Sequence, residues 1–138
     1  MKKIGLLLFA LLLISCHPNV KEENIKKLNG YWEIKQVKFS TGKTKDYKVN
    51  ETIDYFQLKD NEGFRQKVMP QFDGKFQTND IKENIKILAE GSSFFIEYNT
   101  KFGKWKEEII SIEDSILVLK NKEDLEYTYK KFKPFSLK

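Results

Sequence analysis

The feature that most constrains this chain is its punctuation. Between residues 28 and 132, runs of alternating apolar and polar residues are each cut off by a turn signal after a handful of positions. Asn29-Gly30, Asp60-Asn61-Glu62-Gly63, Asp73-Gly74, Glu90-Gly91, Phe102-Gly103, Glu113-Asp114 and residues 121–124 mark the breaks. Turn signals at intervals of roughly 8–15 residues, with no long stretch of helical spacing, specify an all-β chain of short antiparallel strands. The expected strands lie in residues 28–39, 52–58, 64–69, 75–77, 84–88, 93–98, 105–112, 115–120 and 125–132, with a loop at 40–46. Pro70 ends the ladder of the third, because it has no N–H to donate. Eight strands of ~9 residues with loops of ~4–6 need ~110 residues, which a chain of 138 supplies as one domain. The hairpin order favours an up-and-down closed barrel of about eight strands, since closure removes exposed sheet edges. A two-sheet sandwich is the alternative.

Two local features refine this outline. Residues 22–28 place Ile25 and Leu28 at i, i+3, which suits one or two helical turns ended by Asn29-Gly30. In the first strand Trp32 and Ile34 share a face, whereas Val37 and Phe39 carry the opposite parity. That phase change predicts a β-bulge near Gln36; burial of both faces is the competing explanation.

The residue inventory removes whole classes of chemistry. Arg65 is the only arginine, so bidentate recognition of phosphate or DNA bases is nearly unavailable and no nucleic-acid partner is expected. Cys16 is the only cysteine and His17 the only histidine. No internal disulfide can form, and a zinc site, a proximal haem ligand or a nucleophile–histidine pair inside the domain has no residues to build it. No cofactor is expected. Carboxylate chemistry remains open: Asp54 and Glu97 each stand in an otherwise apolar strand. A glycan-acting hydrolase requires the two to face each other across a cleft. The competing expectation is that both meet solvent or one of the many lysines. Alternation puts Glu97 opposite Phe94, Ile96 and Tyr98.

The N-terminus carries the most specific signal. Met1-Lys2-Lys3 precedes an apolar run at 4–14. As a helix that run is only ~17 Å long, against a hydrocarbon core of ~30 Å, which suits a secretory signal peptide better than a span. Leu13-Ile14-Ser15-Cys16 resembles the lipobox of bacterial lipoproteins. The resemblance implies a diacylglyceryl group on the Cys16 thiol, cleavage between Ser15 and Cys16, and acylation of the new amino group. Several acyl chains on one residue anchor stably. The implied organisation is a signal peptide at 1–15, a lipidated tether with a short helical turn at 16–27, and a barrel domain at 28–138. Removing Lys2 and Lys3 lowers the formal charge from +5 to +3. His17 is not the acidic residue of the enterobacterial inner-membrane retention pattern, so the cell envelope, and there the outer membrane, is the expected location.

A second resemblance concerns the domain. Gly30-Tyr31-Trp32 is similar to the Gly-x-Trp signature of lipocalins and the wider calycin group. The closing run Tyr127-Thr128-Tyr129-Lys130-Lys131 resembles the Tyr-x-Tyr-x-basic ending of small bacterial lipocalin-like lipoproteins. The likeness implies that Trp32 plugs the closed end of a barrel and that Lys131 lies across its ring in a cation–π contact. Calycins usually have Arg there; Lys lacks the planar face that stacks on indole, so the contact is expected to be weaker.

With 14 % aromatic residues, the chain has material for an apolar pocket bearing a few hydroxyls. Trp32, Tyr55, Phe94, Tyr98, Tyr127 and Tyr129 are the candidate lining. An eight-strand barrel is also just wide enough to be packed solid by its own side chains. The expected function is therefore non-enzymatic binding of a small apolar or amphipathic molecule, with the membrane as partner through the lipid anchor. A filled barrel that contacts an envelope protein or glycan is the alternative, and a carboxylate-dependent hydrolase comes third.

Overall fold

The computed structural model describes residues 20–134. The expectations for the signal peptide, Ser15, Cys16 and His17 lie outside the described residues.

A 3₁₀ helix, Glu22–Leu28, leads into nine strands: β1 (Gly30–Lys38), β2 (Thr44–Asp46), β3 (Ile53–Lys59), β4 (Glu62–Pro70), β5 (Phe76–Glu90), β6 (Ser93–Thr100), β7 (Gly103–Ile112), β8 (Ile116–Lys120) and β9 (Glu126–Lys131). All neighbours are antiparallel. From β3 to β9 each strand pairs with the next, and β1 pairs with β3 on one edge and β9 on the other. The sheet therefore closes into an eight-stave up-and-down barrel, not a sandwich. The three-residue β2 occupies the distal part of the same β1 edge, pairing Gln36–Lys38 while β3 pairs Gly30–Trp32. β2 falls in the stretch expected as a loop: its three exposed residues carry no apolar pattern.

The expected bulge is present. The register of β1 against β9 shifts between Ile34 and Gln36, so that Ile34 faces Tyr129 and Val37 faces Tyr127 on one wall. The extra residue returns Val37 to the interior after the phase change, and Val37 is buried. The strands expected at 75–77 and 84–88 are one long strand, β5. Its pairing with β4 slips between Gln66 and Val68, where Asp80 takes a positive φ of 59°. The kink lets the distal part of the hairpin bring Phe76 onto Tyr31 of β1, with rings stacked at 4.1 Å and 5°. Asp60 and Asn61, at φ 51° and 67°, make the tight β3–β4 turn that two consecutive left-handed residues allow.

Up-and-down winding puts the 3₁₀ helix and the β3–β4, β5–β6 and β7–β8 turns at one end of the barrel. The β1–β2, β6–β7 and β8–β9 connections lie at the opposite end, while the β2–β3 connection runs beside residues 33–35 of β1 and the β4–β5 hairpin folds over the outer wall. Ile25 and Leu28 of the helix join Trp32, Phe56, Ile87, Ile96, Ile109, Ile112, Leu117 and Leu119 in one contiguous core. Ile53 and Val68 are also buried cross-strand partners, but on the outer face and apart from that cluster.

Candidate binding site

The closed end is built from backbone needs. The last carbonyls of a helix have no partner within it. Here the Trp32 indole Nε1–H donates to the Leu28 carbonyl at 2.8 Å, and the Lys131 ammonium donates to the Asn29 carbonyl. That ammonium also stands 4.5 Å from the Trp32 ring centroid. Burial lowers the Lys131 pKa, while Asp114 opposes the shift. Asn29 Oδ1 accepts the backbone N–H of Leu58 at 2.6 Å, which ties the helix end to β3. Gly30 has φ 121°, and a Cβ there would stand 2.6 Å from the Lys131 nitrogen. Glycine is needed for its backbone angle, and a side chain there would also have to push aside the flexible end of Lys131.

Above this plug the interior turns polar. Cross-strand register carries Asp54, Arg65, Lys67, Glu83, Tyr98, Trp105 and Glu107 on the inward face with Trp32, Phe56, Ile85 and Ile96. Arg65 donates through Nε and pairs through Nη2 with Glu83, both at 2.8 Å, and its Nη1 is 3.9 Å from Glu107. Its guanidinium sits 4.2 Å from the Tyr98 ring centroid. On that ring Trp105 stacks at 5.3 Å and 15°. Lys67 pairs with Asp54 at 2.7 Å. Burial raises the Glu107 pKa, against the opposing pull of the neighbouring Tyr98 hydroxyl and Arg65. Burial is also the largest cause raising the Tyr98 and Tyr129 hydroxyls. For Arg65 burial works the other way, yet the Tyr98, Asp54 and Glu83 fields hold its charge firmly.

The open end is apolar at its rim. Trp105 is 39 % exposed, Phe102 is 88 % exposed, and Phe39 also reaches solvent. Phe102 belongs to the β6–β7 turn and Phe39 follows β1.

Of the six aromatic residues expected to line a pocket, Trp32, Tyr98 and Tyr129 are buried members of the core, and Phe94 and Tyr127 pack against it. They fill the barrel interior more than they line a hollow. Tyr55 does not belong with them. It pairs with Tyr31 on the outer wall and stacks on it at 4.7 Å. The strand is buried on both faces, so alternation alone did not say which face turned inward. Asp54 and Glu97 do not meet either: Asp54 points inward, whereas Glu97 is on the outer face and pairs with Lys104 at 3.8 Å. A hollow of about 430 Å³ opens on the outer wall, lined by Glu62, Asn84, Lys86, Glu97 and Asn99. It contains none of the expected aromatic residues.

Glu83, Glu107 and Trp105 were not among the residues expected from sequence. The signal was there: Glu107 lies between Trp105 and Ile109 at the inward parity of β7, and Glu83 precedes Ile85 and Ile87 in the same phase.

No family model matches the chain, and no curated protein sequence matches it. Among solved structures, a lipocalin-like protein from Bacteroides uniformis ATCC 8492 is similar over 77 % of this chain and 99 % of that one, at 16 % identity and a TM-score of 0.48. Apocrustacyanins C1 and C2 each match over 84 % of this chain and 67 % of theirs, at 11 % identity and a TM-score of 0.48. On its own strand order, its β1–β9 closure and its helix-and-tryptophan plug, the chain has a lipocalin-like fold, a closed eight-strand up-and-down barrel.

Proposed function

We propose that this protein is a lipid-anchored binding protein of the bacterial cell envelope, which takes up a small amphipathic molecule at the open end of its barrel without transforming it. The observation that carries this reading is the asymmetry of the interior. One end is sealed by the 3₁₀ helix, Trp32 and Lys131. The other presents Trp105 and an apolar rim above buried charge. Apolar walls with a few placed polar groups are the usual make-up of a small-molecule site. The seat is Trp105, backed by the buried Tyr98 on which it stacks, not the six aromatics as a set. The opposite-facing Asp54 and Glu97 supply no carboxylate pair for hydrolysis.

The anchor fits this orientation. Residue 20 leads directly into the helix at the closed end. From Cys16 to Val20 the chain can reach at most about 14 Å. The closed end therefore faces the outer membrane that holds it, and the mouth faces away. The exposure of Phe102 and Phe39 favours a second reading, in which the mouth docks an envelope partner.

Native mass spectrometry of the full chain purified from its own host tests the first reading. A bound small molecule of constant mass is expected; only apo protein, or a protein partner, contradicts it. Replacing Cys16 with Ser tests the anchor: the variant is expected to leave the membrane fraction after a high-salt wash, and retention there contradicts the lipidation.

A further inference from the structure

Inside the barrel three carboxylates, Asp54, Glu83 and Glu107, are set against two cations, Arg65 and Lys67. Arg65 is committed to Glu83 through two donors and reaches Glu107 only at 3.9 Å. Lys67 is held by Asp54, and more than half of its side chain is in solvent. Glu107 is thus the carboxylate with the weakest compensation, although it is only 8 % exposed. Its Oε1 has Arg65 Nη1 at 3.9 Å and the Tyr98 hydroxyl beside it, but no well-aligned hydrogen bond, and the hydroxyl of Tyr98, a residue that is 0 % exposed, has no other partner. A buried polar atom without a partner is costly, and such atoms mark places where a further molecule binds. The Tyr98 hydroxyl can supply Glu107 with a donor but with no charge, and three carboxylates against two cations call for a positive one. The three carboxylates do not converge as metal ligands. Trp105, stacked on Tyr98, is with Lys67 the part of this assembly most open to solvent.

Building on the binding function above, we infer that the ligand carries a protonated amine, which enters past Trp105 and donates to Glu107 and Tyr98 while its apolar part remains against Trp105 and the rim. An indole face beside the entry favours a cation over an anion. A carboxylate head would meet Glu107 as a like charge, with Arg65 already engaged.

The test compares decylamine, decanol and decanoate, each below its micelle concentration, by calorimetry on the full-length protein and on Glu107→Gln. The amine is expected to bind about tenfold or more tightly than the alcohol, the margin of a hydrogen bond to a charged group. Decanoate is expected to bind most weakly, and Glu107→Gln should erase the preference for the amine. Equal affinities, or a preference for decanoate, overturn the amine assignment and leave amphipathic binding standing. No binding of any of the three overturns both. Should Glu107→Gln fail to fold, the ranking on the parent protein alone decides.

Discussion

The two halves of this barrel solve opposite problems. The helix-side half has backbone carbonyls to satisfy and apolar surface to bury, and it does both with the same residues. Trp32 fills the core and caps Leu28; Lys131 covers the Trp32 ring and caps Asn29. The mouth-side half sets two buried carboxylates, Asp54 and Glu107, beside the half-buried Glu83 and Arg65 and leaves Phe102 in water. By the ordinary logic of burial each of those choices is unfavourable. The contrast gives stability to one end and, on the function proposed above, recognition to the other, and it can be broken residue by residue.

The largest effect is expected at the plug. Trp32→Ala should lower the unfolding free energy by about 3–5 kcal/mol, the range for deleting a large core aromatic, read from urea denaturation; an unchanged midpoint would remove Trp32 from the core. Gly30→Ala should cost about 2 kcal/mol, from the positive φ and the collision with the Lys131 ammonium. In a Lys131→Ala background the same change should cost less, because the collision is gone and only the backbone strain remains. Equal costs in the two backgrounds would show that the lysine does not define the glycine. Lys131→Ala alone should cost about 1 kcal/mol, for a partly exposed cation–π contact and one hydrogen bond.

At the other end the effects should be smaller and depend on pH. Burial favours the neutral form of Glu107. Whatever stability this group contributes is therefore full below its unfolded value near 4.5 and is lost as pH rises through its raised folded value. Glu107→Gln should gain stability relative to the parent between pH 4 and pH 8, followed by thermal melts across that range. A difference that grows in the parent's favour would mean that the Arg65 field outweighs burial. Smallest of all, Phe102→Ser should change stability by no more than about 0.5 kcal/mol, while weakening uptake of an amphiphile. A large loss of stability would place Phe102 in the fold and not at its rim.

What the sequence made legible follows the same division. The plug is legible because its determinants are local or periodic: a Gly-x-Trp run, a parity break at Gln36, and a lysine in phase with Tyr127 and Tyr129. The bulge lies where the parity breaks. The polar belt is hard to read because Arg65, Glu83 and Glu107 come from three strands and meet only through barrel closure and stagger. A charged residue at inward parity reads as a solvent-facing one until its neighbours across the sheet are known. Tyr55 shows the same limit from the other side, since β3 is buried on both faces and an aromatic there has no phase to declare. The long β5 was hidden by the polar stretch 78–84, which reads as a loop but pairs with β4 through a slipped register.

The chain has two tryptophans, and each belongs to one half. Their indole N–H signals in a ¹⁵N–¹H correlation spectrum of the unmodified protein therefore report on both ends at once. On titration with decylamine, the Trp105 signal should move saturably while the Trp32 signal, held by the Leu28 carbonyl, stays in place. A shift of Trp32 with Trp105 unmoved, or no saturable shift of either, would contradict the assignment of recognition to the open end.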